Sequence, residues 1–172
     1  MRYKVVPEPP GLDTLEAAHA AMPLVPGSVE DCCLRLVDRT AVPARDSARE
    51  WVTFMQALDL VAETPQGYKR RRVEFDPRAL GNAFQRRVFG AREVLATLDA
   101  GPATVEEVFE SLAPAVPEWE RDRHTDWERE WRERTRRLLE WGVAFGLVVR
   151  DGEACGRADG PEGSLPSPFE GQ

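Results

Sequence analysis

The chain has 172 residues, 23 basic against 30 acidic side chains and a formal charge of −7. Its 42% hydrophobic and 31% charged residues fit a globular protein and exclude a collagenous, disulfide-framework or wholly disordered chain. The acidic balance argues against loose, sequence-blind binding of nucleic acid, although a local basic patch is still allowed. Only Lys4 and Lys69 are lysines, and this arginine-rich, acidic make-up suggests a high-GC and salt-adapted source. No segment has the apolar run of a signal peptide or a membrane span, so the chain is expected to stay in the cytoplasm. Cys32, Cys33 and Cys155 form an odd set without framework or metal-ligand spacing, and are expected to be buried free thiols.

Residues 1–13 are expected to be extended, because Pro7, Pro9 and Pro10 deny a helix. A short helix follows, with Asp13 as its N-cap, running through Leu15 to Met22. Ser28 opens a second helix, with Asp31 three residues later as a capping-box match and Val29, Cys33, Leu36 and Val37 as its apolar face. A third helix is expected from Ala44 to Leu58. Trp51, Phe54, Met55 and Leu58 fall at the spacing of one buried face, widened by Ala48 and Val52. The period then changes to two. Leu60–Thr64 and Tyr68–Val73 read as a hairpin around Pro65-Gln-Gly67.

Residues 74–83 read as a linker. Phe84, Val88, Ala91, Leu95 and Leu98 make one further helical stripe, which Gly101-Pro102 ends. Thr104 and Glu107 form a capping box for a helix lined by Val105, Val108, Phe109 and Leu112. A long helix from Glu118 or Asp126 to Phe145 is closed by Gly146. Leu147–Cys155 forms a second hairpin, turning at Asp151-Gly152. The tail 156–172, rich in Gly, Pro and Ser, is expected to be disordered.

Both halves thus run helix, helix, longer helix, hairpin. They share a junction: Leu58-Asp-Leu-Val61 before the first hairpin and Phe145-Gly-Leu-Val148 before the second. This pattern resembles a winged helix-turn-helix domain repeated in tandem, over residues 14–73 and 84–155. The implied class is mainly α with short β-hairpins (α+β). Val5-Val-Pro-Glu-Pro-Pro10 and Pro26-Gly-Ser-Val-Glu-Asp-Cys-Cys33 also resemble segments of proteins from halophilic archaea.

The function expected from that resemblance is DNA binding in a transcription-regulator-like protein. Such a domain lays its third helix in the major groove. At about 100° per residue, Arg45, Arg49, Thr53 and Gln56 share one stripe opposite the core face. Arg suits guanine and Gln suits adenine. Lys69, Arg70, Arg71 and Arg72 follow the first turn and are expected to meet phosphates, with strand alternation dividing them between two faces. The charge is uneven: residues 1–80 sum to −1 (11 positive, 12 negative) and residues 81–172 to −6 (12 and 18). The first unit is therefore the favoured reader.

In the second unit, Glu128–Arg132, Glu130–Arg134 and Glu133–Arg137 pair at i, i+4, which explains the arginines without a ligand. Trp127, Trp131 and Trp141 lie on one stripe, as either intramolecular core or the interface of a homodimer or protein complex. Arg134 falls inside that stripe and needs a carboxylate or a stacking partner there. The alternative function is a non-catalytic protein–protein adaptor. No enzyme, cofactor or metal is expected. His19 and His124 are isolated, and no phosphate loop or nucleophile elbow occurs.

Overall fold

The computed structural model describes residues 3–9, 11–123 and 125–158. His124 lies outside the described residues, as does the tail from 159 onward. The chain divides into two units, residues 1–91 and 92–172.

Unit 1 contains α1 (Leu12–Ala21), α2 (Val29–Arg39), α3 (Arg45–Ala57), β1 (Val61–Thr64), β2 (Gly67–Arg70) and α4 (Pro77–Arg87). Ser28 caps α2, its hydroxyl accepting the Asp31 N–H at 3.1 Å. Asp13 does not cap α1: Gly11 occupies the N-cap position, and Asp13 sits in the first turn, where its charge complements the helix dipole. The core is built from Leu15, Ala18, Met22, Leu36, Trp51, Val52, Phe54, Met55 and Leu60, all at most 2% exposed. Cys32 and Cys33 are buried in it too, and burial raises both thiols above their ordinary pKa, so they are poor nucleophiles.

Three expectations are corrected here. The returning strand stops at Arg70 rather than Val73. Residues 74–83 are not simply a linker, because Asp76 caps a helix that starts at Pro77 and packs Phe84 edge-on to Phe54 at 6.5 Å. Proline at the first helical position loses nothing, since its missing N–H would have had no partner there. The single stripe expected over Phe84–Leu98 is two helices, α4 and α5 (Ala91–Asp99), because Val88 leaves the helical path. There the N-terminal segment closes the unit: Tyr3 bridges Val88 in parallel, and Phe89 N–H donates to the Tyr3 carbonyl at 2.7 Å.

Unit 2 holds α5, β3 (Ala103–Thr104), α6 (Val105–Leu112), a 3₁₀ turn (Ala113–Ala115), α7 (Glu118–Arg123), α8 (Trp127–Ala144), β4 (Val148–Asp151) and β5 (Ala154–Arg157). The long helix thus begins at Trp127, with α7 a separate element. The Thr104–Glu107 capping box forms in both directions. Strand β5 reaches Arg157, so Gly156 and Arg157 are sheet rather than tail, and the turn residues are Gly152 and Glu153.

The two units repeat each other bond for bond around the third helix. In unit 1, Leu60 N–H donates to Met55 O at 2.9 Å and Asp59 N–H to Gln56 O at 3.2 Å. In unit 2, Leu147 N–H donates to Gly142 O at 2.8 Å and Gly146 N–H to Val143 O at 3.0 Å. This is a Schellman closure, which needs a left-handed residue after the helix. Asp59 (φ 64°) and Gly146 (φ 77°) supply it. A third strand also recurs. β3 pairs with β5 in unit 2, and a single bridge, Gly27 to Tyr68, holds the same place in unit 1.

Gly67 faces that bridge with φ 134°, and a Cβ there would collide with the Gly27 carbonyl. Gly67→Ala should therefore lower unit 1 stability by more than about 2 kcal/mol. Gly146→Ala, strained but in open space, should lower unit 2 stability by about 1–2 kcal/mol. Urea unfolding followed separately in each unit by residue-resolved NMR checks the order.

Candidate nucleic-acid interface

The register of α3 turns Ala48, Trp51, Val52 and Met55 inward. Arg45 and Arg49 are consequently exposed, while Thr53 and Gln56 are half-buried. Arg45 has no ion pair among the described residues. Arg49 meets Glu30 of α2 at 3.3 Å, with both side chains 57% exposed. A pair so open to water contributes under about 1 kcal/mol, and a phosphate or base can displace it. Gln56 donates its amide N–H to Glu63 of β1 at 3.3 Å, which orients the side chain beside the hairpin. Glu63 also helps to raise the Tyr68 phenol above its ordinary pKa, behind the larger effect of burial.

The four cations of the run have different neighbours. Lys69 is exposed and has no ion pair among the described residues. Arg70 turns inward: its backbone N–H donates to Pro23 O at 2.7 Å and its Nε to Met22 O at 3.3 Å. Beyond the strand, Arg71 is held at the hairpin root. Its N–H donates to Leu60 O at 2.9 Å, and its guanidinium lies 3.8 Å from the Asp59 carboxylate. Arg72 is exposed. Physically, the run begins in the last ladder pairs and ends where the chain leaves the sheet, so each cation meets a different neighbour.

Two residues absent from the sequence-level site organise that root. Asp59 also accepts from Arg87 of α4, whose guanidinium lies 5.4 Å from the Tyr3 ring centre. His19 Nε2 donates to the Arg71 carbonyl at 2.9 Å. Asp59 was visible as the polar helix exit; its two arginine partners and the His19 contact are tertiary.

In unit 2 most of the outward arginines of α8 are paired, whereas Arg129 is exposed with no ion pair among the described residues. Arg132 forms a two-pronged pair with Glu106 at 2.8 and 3.1 Å, rather than with Glu128. Arg136 is held by Glu133 and by Glu140, and Arg137 meets Glu133 at 3.1 Å, as its spacing predicts.

Residues 1–160 match the family described as the halobacterial double winged helix domain. The chain belongs to that family. No curated protein and no solved structure matches it. In double winged helix terms, α3 and α8 are the third helices and the two hairpins are the wings. The tandem α+β architecture and the likeness to proteins of halophilic archaea are thereby shown.

The tryptophan stripe of the second winged helix is corrected as an interface. Trp131 is 4% exposed and Trp141 is fully buried, stacked on Phe145 at 5.5 Å. Trp127 is half-buried, 6.3 Å from Phe109, with Arg121 4.7 Å from its ring centre. Two of the three therefore offer no surface to a second copy. Arg134 finds the stacking partner its position requires: its guanidinium lies 5.4 Å from the Trp131 ring centre, and burial pushes its pKa down to about 10. Among the described residues no group of three His, Cys, Asp or Glu side chains is placed to hold a metal, and no helix is long and apolar enough to cross a membrane.

His19 is 7% exposed and stacks on Phe75 at 6.5 Å. Burial lowers its pKa, nearby Arg70 adds to the shift, and the Arg71 hydrogen bond opposes it. The unfolded chain therefore binds the proton more readily. The stability that His19 contributes is present above its unfolded pKa of about 6.5 and is lost as pH falls through that value toward the lowered one. Urea midpoints of unit 1 should drop between about pH 7.5 and pH 5, and His19→Gln should make that drop smaller.

Proposed function

We propose that the first winged helix binds double-stranded DNA in a regulator-like role, with α3 in the major groove. Arg45, Arg49, Thr53 and Gln56 would read base edges and Lys69 would hold a phosphate. The observation that carries this reading is a contrast between two copies of one scaffold. The third helix of unit 2 has Arg132, Arg136 and Arg137 neutralised by glutamates. The third helix of unit 1 presents Arg45 with no ion pair among the described residues and Arg49 in one weak, exposed pair. The contrast is one of degree: α8 has three arginines held by glutamates and leaves Arg129 without an ion pair among the described residues, whereas α3 holds neither Arg45 nor Arg49 firmly.

A second reading has its own support. Glu30 and Glu63 approach the same stripe, and carboxylates repel phosphate while suiting a protein partner. Fluorescence anisotropy with a random duplex pool over a KCl series separates the two. DNA binding predicts that Arg45→Ala and Arg49→Ala each weaken binding by about 1–3 kcal/mol. Lys69→Ala should flatten the slope of log K against log salt by about 0.9. Absence of binding at every salt concentration, or affinity indifferent to all three changes, would leave the adaptor reading in its place.

A further inference from the structure

Three of the wing cations line a feature apart from the α3 stripe. Arg70, Arg71 and Arg72 line an open groove of about 490 Å³ in unit 1, together with His19, Leu24 and Val73. That volume lies in the usual range of small-molecule sites, about 300–1,000 Å³. None of its lining residues is acidic. Asp59 lies against Arg71, but Arg72 has no ion pair among the described residues, and Arg70 spends only its Nε, on the Met22 carbonyl.

The apolar side of the groove is equally unsatisfied. Leu24 is 46% exposed and Val73 40% exposed, on opposite sides of the sequence and brought to one place by the fold. His19 adds a polar group. Because Nε2–H is donated to the Arg71 carbonyl, the neutral ring keeps Nδ1 as its acceptor. Burial favours that neutral ring.

We propose that this groove binds a small amphipathic monoanion, an apolar chain or ring bearing one carboxylate. The carboxylate sits on the Arg72 and Arg70 guanidiniums, and the apolar part covers Leu24 and Val73. Charge complementarity selects the anion: the lining offers cations and no competing carboxylate. The two aliphatic side chains add affinity only for a ligand with an apolar part to cover them; free phosphate leaves them as exposed as they already are and gains nothing from them. The site is built from α1, its exit and the wing root, not from the outward stripe of α3, so it stands whether or not the first unit reads DNA.

NMR titration of the full chain tests this with three probes: octanoate, octan-1-ol and acetate. Octanoate should shift the signals of His19, Leu24, Arg72 and Val73 saturably. Octan-1-ol, lacking the charge, and acetate, lacking the chain, should each bind at least about tenfold more weakly. Arg72→Gln, at an exposed position with no ion pair among the described residues, should weaken octanoate by about tenfold while the rest of the spectrum keeps its folded dispersion. Equal binding of octan-1-ol, shifts centred outside these residues, or an unchanged affinity in Arg72→Gln would overturn the proposal. So would a groove that responds to duplex DNA but not to octanoate, which would make it part of a nucleic-acid surface.

Discussion

The way the chain leaves its third helix sets the rest of each unit. A helix must end with its last carbonyls satisfied, and a hairpin must start in a direction that returns it to the core. One left-handed residue does both. In unit 2 that residue is Gly146, for which the conformation is nearly free of strain. In unit 1 it is Asp59, the only non-glycine residue with positive φ among those described. Aspartate tolerates this region better than most side chains, but still at a cost of roughly 1 kcal/mol. The carboxylate offsets that cost by drawing Arg71 and Arg87 to the wing root. The same turn therefore serves as a bare hinge in one unit and as an ionic anchor in the other.

From that shared scaffold the two units diverge through their connections and charges. Five residues join α2 to α3, whereas residues 113–126 join α6 to α8 and contain a 3₁₀ turn and α7. The longer connection supplies Arg121, which lies over Trp127 and donates to the Ala113 carbonyl. On α8 the arginines meet glutamates both within the helix and from α6. On α3 the nearest acids come from α2 and β1, and they leave part of the stripe unpaired. Winged-helix architecture alone does not specify what such a surface does; the side chains on its outer face do.

The net charge of −7 has to be read in the same local way. At about 1 M salt the Debye length is near 3 Å, so distant charges are screened and contacts decide. The −6 of residues 81–172 contributes to solubility and says little about a ligand on the first unit. What matters there is whether a given guanidinium is already occupied. Arg71 and Arg87 are, by Asp59; Arg45, Lys69 and Arg72 are not, among the described residues.

Much of the architecture was legible in the sequence. Periodicity places α2, α3, α6 and α8; the capping residues Ser28 and Thr104 mark two starts; and the paired Leu-Val junctions reveal the repeat. These signals are local, governed by spacing and by backbone hydrogen bonds within a few residues. The split between α4 and α5 had one local signal, Gly90, which adopts φ 96° at the break; the Tyr3–Val88 pairing beside it comes from far away in the chain and was not legible. Nor was the fate of the four wing cations. Their identities and strand alternation come from the sequence, but their partners, Met22, Asp59 and the groove beside His19 and Leu24, come from α1 and the helix exit. The tryptophan stripe makes the same point: spacing aligned the three rings, and only packing decided that Trp131 and Trp141 lie inside. The sequence by itself determined the repeat, the helices and the charge inventory. Which charges remain free for a ligand was decided by tertiary contacts between residues that no local spacing connects.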